Sequence, residues 1–170
     1  MEKWNVKTNE MMTFSEYIEQ LASEHKDIRH SAEECHYSDL TEDAQNSYSH
    51  TRMHYPCVVL DEGSTSYTGS PSQPYRVDFY TLIFADHVRD TGNASEIRDT
   101  FTRMKRVADD FLKRMVRDRK KVKLMSRFDI VDSEMQRVYL QDAALYGYAV
   151  YLKNTTTFID NDCNNAFEEE

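Results

Sequence analysis

The chain has 170 residues, enough for one domain with a core of its own. With 39% hydrophobic and 30% charged residues it has the balance of a folded, well-solvated protein, and no apolar run reaches the ~18 residues of a membrane span. A net charge of −9 excludes a general nucleic-acid binder acting through its whole surface, because phosphates would be repelled.

The first residues show no period and read as an N-terminal arm over 1–12, without the apolar stretch of a signal peptide. Thr13 and Glu16 form a capping-box pattern, predicting a helix with Phe14, Tyr17, Ile18 and Leu21 on one face. From His25 to about Met53 the pattern weakens to short turns and loop. Residues 55–60 (Tyr-Pro-Cys-Val-Val-Leu) predict a buried strand that ends in a turn at Asp61, Glu62 and Gly63. Residues 63–74, rich in Gly, Ser, Thr and Pro, read as the loop of an extended hairpin tip rather than a tight turn. Alternation then predicts a strand over 75–87. Tyr75, Val77, Phe79, Thr81 and Ile83 lie on one face; Arg76, Asp78, Tyr80, Leu82 and Phe84 lie on the other.

The strongest pattern follows. Asn93 caps and Glu96 completes a second capping-box pattern, opening a helix over 93–117 about 36 Å long. Ile97, Phe101, Met104, Val107, Ala108, Phe111, Leu112 and Met115 recur at three- and four-residue steps on one face. Residues 122–130 and 135–140 predict two strands around Asp132 and Ser133, and residues 145–152 a last one. A polar, acidic tail over 154–170 closes the chain. The expectation is a single α+β domain over 13–153, with an antiparallel or mixed sheet packed by a long helix and an N-terminal helix.

Charge is unevenly spread. Residues 103–127 hold eleven basic residues against three acids, a net +8 that leaves −17 for the rest of the −9 chain. Cations favour a helix C-terminus, which by itself accounts for some of this clustering. One basic end on an acidic body also lets copies attract each other head to tail. The run Arg117, Arg119, Lys120, Lys121, Lys123 lacks the interleaved aromatics of a single-strand binder and any groove-reading motif.

Catalytic and metal signals are weak. His25, His30, Cys35, His36, His50, His54 and Cys57 do not reach the tight pairs of ligands that zinc requires, and Cys35 beside His36 is a poor chelating or catalytic pair. Three widely spread cysteines without CxxC fit free thiols in a reducing compartment. There is no G-x-S-x-G, and four glycines make no phosphate-cradling loop. Glu33-Glu34, Asp61-Glu62 and Asp109-Asp110 read as solvated faces. The expectation is a protein that is not an enzyme and uses no cofactor or metal.

The order of these elements resembles a family. A helix, the proline-led strand 55–60, a loop-rich hairpin, the alternating strand 75–84, the long helix opened by Ser95-Glu96-Ile97 and the closing strand 142–152 together look like the tail-terminator and tail-completion proteins of tailed bacteriophages. Gly147-Tyr148 within that last strand is similar to versions from phages of gut Bacteroidetes, including crAss-like ones. The resemblance covers roughly residues 13–153 and implies a ring at the neck or tail end of a virion, six- or twelve-fold, built in the host bacterial cytoplasm. Its partners would be further copies and the neighbouring connector, portal or tail proteins, with genomic DNA passing through unread and no membrane involved. On that reading the subunit contacts fall to Arg117, Arg119, Lys120, Lys121, Lys123, Tyr67, Tyr75 and Tyr148. Asp61, Glu62, Glu168, Glu169 and Glu170 would form an acidic lumen or partner face. A small binding module for protein or nucleic acid, using residues 117–123, is the alternative.

Overall fold

The computed structural model describes residues 12–28, 35–39, 53–131, 133–140 and 143–157; at 35–39, 53, 54 and 123 it describes the backbone alone. Helix α1 (Phe14–Glu24) starts as its sequence dictates. Thr13 Oγ1 accepts the Glu16 N–H at 3.2 Å while Glu16 Oε2 accepts the Thr13 N–H at 2.8 Å, so two otherwise orphaned donors are satisfied. Phe14, Tyr17, Ile18 and Leu21 are all buried.

Helix α2 (Ala94–Asp118) is capped by Asn93, whose Oδ1 accepts from the Ser95 and Glu96 N–H groups. Glu96 does not return the bond to Asn93. Its carboxylate instead takes the Arg89 and Asp90 N–H groups, pinning the incoming turn to the helix. The apolar stripe faces inward as expected, with Met104, Val107, Ala108, Phe111, Leu112 and Met115 buried and Phe101 partly so.

Five strands form one mixed sheet in the order β1-β2-β3-β5-β4. They are β1 (Cys35–Asp39), β2 (Met53–Ser70), β3 (Gln73–His87), β4 (Glu134–Leu140) and β5 (Leu145–Thr157). Strand β1 pairs parallel with β2, and the other neighbours are antiparallel. The sequence pattern missed β1 because the alternation of Cys35 and Tyr37 with His36 and Ser38 is too short and too polar to stand out; pairing with β2 makes it a strand.

Three further expectations are corrected. Strand β2 does not turn at Gly63 but runs on to Ser70, and Pro71 and Ser72 alone make the turn to β3. Thr and Tyr are good strand residues, and continuous cross-strand pairing from Thr65–Asp78 to Ser70–Gln73 overrides the loop-like composition. Gly69 adopts φ 103°, where a Cβ would lie 2.3 Å from the Gln73 carbonyl oxygen, so the tip needs glycine there. Second, residues 122–130 are not a strand. Val122, Met125 and Phe128 lie at three-residue steps and follow successive turns around a 3-10 segment (Lys123–Met125), which buries Met125 and Phe128 completely. Third, β5 continues past Leu152 to Thr157, so residues 154–157 pair with Tyr75–Asp78 of β3 instead of belonging to the tail. The remainder of the tail and residues 1–11 lie outside the described residues.

Both helices pack on one face of the sheet, against Val58 and Leu60 of β2, Leu82 and Phe84 of β3, and Val150 and Leu152 of β5. Phe84 and Phe111 meet edge to face at 5.0 Å, a contact worth about 1 kcal/mol beyond its area. Phe14 stacks on Tyr80 at 3.8 Å. The opposite face carries a smaller cluster of Cys57, Val59 and Ala85 with Tyr55 and Ile83. Gly147 lies tight against β3: a Cβ there would stand 1.8 Å from the Phe84 carbonyl oxygen. Among the described residues no helix is long and apolar enough to cross a membrane.

Candidate functional site

Three surfaces stand out once the core is accounted for. The first is the basic end of α2. Arg117 lies in its last turn, and Arg119, Lys120 and Lys121 follow, all exposed; Lys123 opens the 3-10 segment. Their position suits the negative end of the helix dipole. The acid among them is not part of that surface. Asp118 is 4% exposed and accepts from Arg114 Nε at 2.7 Å and from Tyr17 Oη at 3.2 Å, joining α2 to α1. Burial, reinforced by the Asp118 carboxylate, pushes the Tyr17 phenol well above its ordinary value, so it stays a donor.

The second surface is the hairpin. Residues 62–72 are all exposed, Tyr67 at 63%. Glu62 is exposed and Asp61 half-buried at its root, on opposite faces of β2 because successive strand side chains alternate. Asp78 anchors this root from within, accepting from Thr65 Oγ1 at 2.6 Å and Arg76 Nε at 2.8 Å. Glu168, Glu169 and Glu170 lie outside the described residues.

The predicted contact tyrosines separate. Tyr67 is on the hairpin. Tyr75 is half-buried, with the Arg127 guanidinium 4.7 Å over its ring, so the basic segment and the hairpin strands meet at one end of the domain. Tyr148 is only 8% exposed, its ring against Phe101 and its hydroxyl accepting from Arg137 Nε at 3.2 Å. It is a core residue, because its even register position places it beneath α2.

The third surface was not foreseen. A groove of about 570 Å³ runs between α2 and edge strand β4, lined by Arg98, Phe101, Lys105, Arg137 and Tyr148 among others. Arg106 on its rim is paired with Asp27. Arg137 lies 4.9 Å over the Phe101 ring. The signal was present: Arg98, Thr102 and Lys105 recur at helical spacing along one flank of the apolar stripe, and Arg137 breaks an otherwise apolar alternation. Only the fold brings helix and strand together.

A cleft beside the N-terminus of α2 holds His87 and Asp86, but the Asp86 carboxylate is occupied by Arg103 and by the His87 N–H. Cys57 is buried. His25 lies 3.7 Å from Asp110 and 5.6 Å from the Phe111 ring, His36 and Cys35 belong to β1, and His54 to β2. His30 and His50 lie outside the described residues. Among the described residues no group of three or more His, Cys, Asp and Glu side chains could hold a metal ion. No protein-family model matches this chain, and no curated protein matches it.

Proposed function

We propose that this chain is a non-enzymatic virion structural protein that closes into a ring at the phage neck or tail terminus, around the path of the DNA. The observation that carries this reading is the projecting hairpin: residues 62–72 stand exposed beyond the helix-covered core, an arm suited to reaching a neighbour. The polarity of charge supports it, since a +8 segment on a body of −17 gives each copy a front and a back. Acidic residues such as Asp61 or Glu62 facing a lumen would let DNA slide rather than adhere. Partners on this reading are further copies, in six- or twelve-fold rings, and the connector, portal or tail proteins above and below. The site of action is the virion, after assembly in the host cytoplasm.

Light scattering after size exclusion, at low and at moderate salt, tests it. A discrete high-order species is expected, weakened by Lys120→Glu with Lys121→Glu if the basic end contributes. A strict monomer at every concentration, alone and with its neighbours, would refute the ring. The exposure of Arg117, Arg119, Lys120 and Lys121 favours a second reading, a small protein- or nucleic-acid-binding module. That reading predicts monomers whose affinity for DNA falls steeply with salt.

A further inference from the structure

The last strand ends beside the basic segment. Asn154 of β5 is buried, and its Nδ2 donates to the Leu124 carbonyl oxygen at 3.0 Å. Thr157, at the end of the strand, pairs with Tyr75, and the Arg127 guanidinium lies 4.7 Å over the Tyr75 ring. Two contacts therefore fix where residues 158–170 leave the sheet: against the stretch 117–127. Arg117, Arg119, Lys120, Lys121 and Arg127 are exposed there, and none of them makes an ion pair with a described residue. The nearby acids are engaged elsewhere. Asp118 holds Arg114 and Tyr17, and Asp129 accepts from the Val131 N–H at 3.1 Å. Like charges gathered in this way repel each other and favour a counter-charge.

We propose that residues 158–170 fold back on the basic end of α2 in the same chain and screen it. The segment holds Asp160, Asp162, Glu168, Glu169 and Glu170 and no base, a charge of −5. Fully extended it spans up to about 44 Å. The stretch from Arg117 to Leu124 measures only about 14 Å at ~2 Å per residue, so each of these cations is within reach. The cationic groove is the poorer host. Its Tyr148 stands nine residues before Thr157 on the same strand, about 30 Å back, and β5 runs away from it. Tethering holds the acids beside the basic end at an effective concentration on the order of mM, ahead of any contact between copies in dilute solution. The tail is then a built-in competitor. DNA, or an acidic surface of another copy, reaches the cations only by displacing it. The contact needs a single copy, so it stands or falls apart from the ring reading.

Zero-length carbodiimide cross-linking tests it in the full chain. The reagent joins a carboxylate to a lysine amine as an amide, with loss of water, where the two already touch. An equal mixture of unlabelled and isotope-labelled chains tells one copy from two. At low salt, links from residues 160–170 to Lys120, Lys121 or Lys123 are expected within single chains, with a yield that falls several-fold by about 0.5 M salt. Links to Lys105 instead would overturn the proposal in favour of the groove. Links joining labelled to unlabelled chains would overturn it in favour of exchange between copies. No link, or a yield indifferent to salt, would overturn it as well. A DNA duplex then serves as a polyanion probe. Glu168→Gln with Glu169→Gln and Glu170→Gln should tighten its binding about tenfold. Glu19→Gln with Asp99→Asn and Glu134→Gln, the same change of charge on other exposed acids, should do much less. Equal gains would overturn the screening. None of these results bears on the ring, which light scattering decides.

Discussion

Replacing Gly147 by alanine tests how β5 is seated against β3. Its Cβ would lie 1.8 Å from the Phe84 carbonyl oxygen, 2.8 Å from that carbonyl carbon and 2.9 Å from Ala85 Cα, where an ordinary contact is at least 3.4 Å. All three atoms are backbone, so no side chain can swing aside. Strands β3 and β5 would have to part by roughly 1.6 Å against a spacing that the hydrogen-bond ladder holds at about 4.8 Å. Overpacking of this kind costs about 3 kcal/mol. For a chain of this length that corresponds to a melting point lower by roughly 6–12 °C. Thermal melts followed by circular dichroism measure it. Gly92→Ala is the control: its Cβ meets only the Asp90 carboxylate oxygen, a movable side-chain atom, at 3.2 Å. A Gly147→Ala variant that melts within the error of the native protein would refute the register of β3 against β5.

The helix–helix tie predicts a graded series. Asp118→Ala removes the shared acceptor of Arg114 and Tyr17 and should destabilise by about 3 kcal/mol, while Tyr17→Phe, which loses only its hydroxyl bond, should cost about 1.5 kcal/mol, both read from urea midpoints. Equal effects would show that Arg114 draws nothing from Asp118. Alkaline pH should also weaken the fold. Burial, then the neighbouring acids, raises the phenols of Tyr17 and Tyr80 above the ordinary value of 10.0. Below about pH 10 both are protonated folded and unfolded and their contribution is complete; above it the unfolded chain ionises first, and stability falls by up to about 1.4 kcal/mol per pH unit for each. Tyr17→Phe should remove its share of that slope, and a flat profile to about pH 11 would contradict the burial of both rings. At the hairpin tip, Gly69→Ala should raise amide exchange in residues 65–77 by loosening the turn, while Asn93→Ala should cost about 1 kcal/mol through the lost cap of α2. Unchanged exchange at the tip would mean that the turn does not depend on the left-handed residue.

What the sequence determined by itself was local. Thr13 and Asn93 start the helices because short polar side chains satisfy orphan N–H groups wherever the next turn is helical. The stripe of α2 names its buried face, and the alternation of β3 separates its two faces, because side-chain direction follows backbone period; the packed helices decide that Leu82 and Phe84 lie on the core side. The tertiary structure decided everything that depends on a partner strand or a facing element. Cys35–Asp39 is a strand because β2 lies beside it, and the Ser- and Gly-rich arm of β2 is extended because β3 completes its ladder. Tyr148 is a core residue rather than a contact residue because a helix covers its side of the sheet. The cationic groove exists because Arg98 and Lys105, far from Arg137 in the chain, come to lie along the same edge. Period and composition encode what a residue does to its own backbone; which surfaces meet depends on long-range pairing, and that energy is shared between segments distant in sequence.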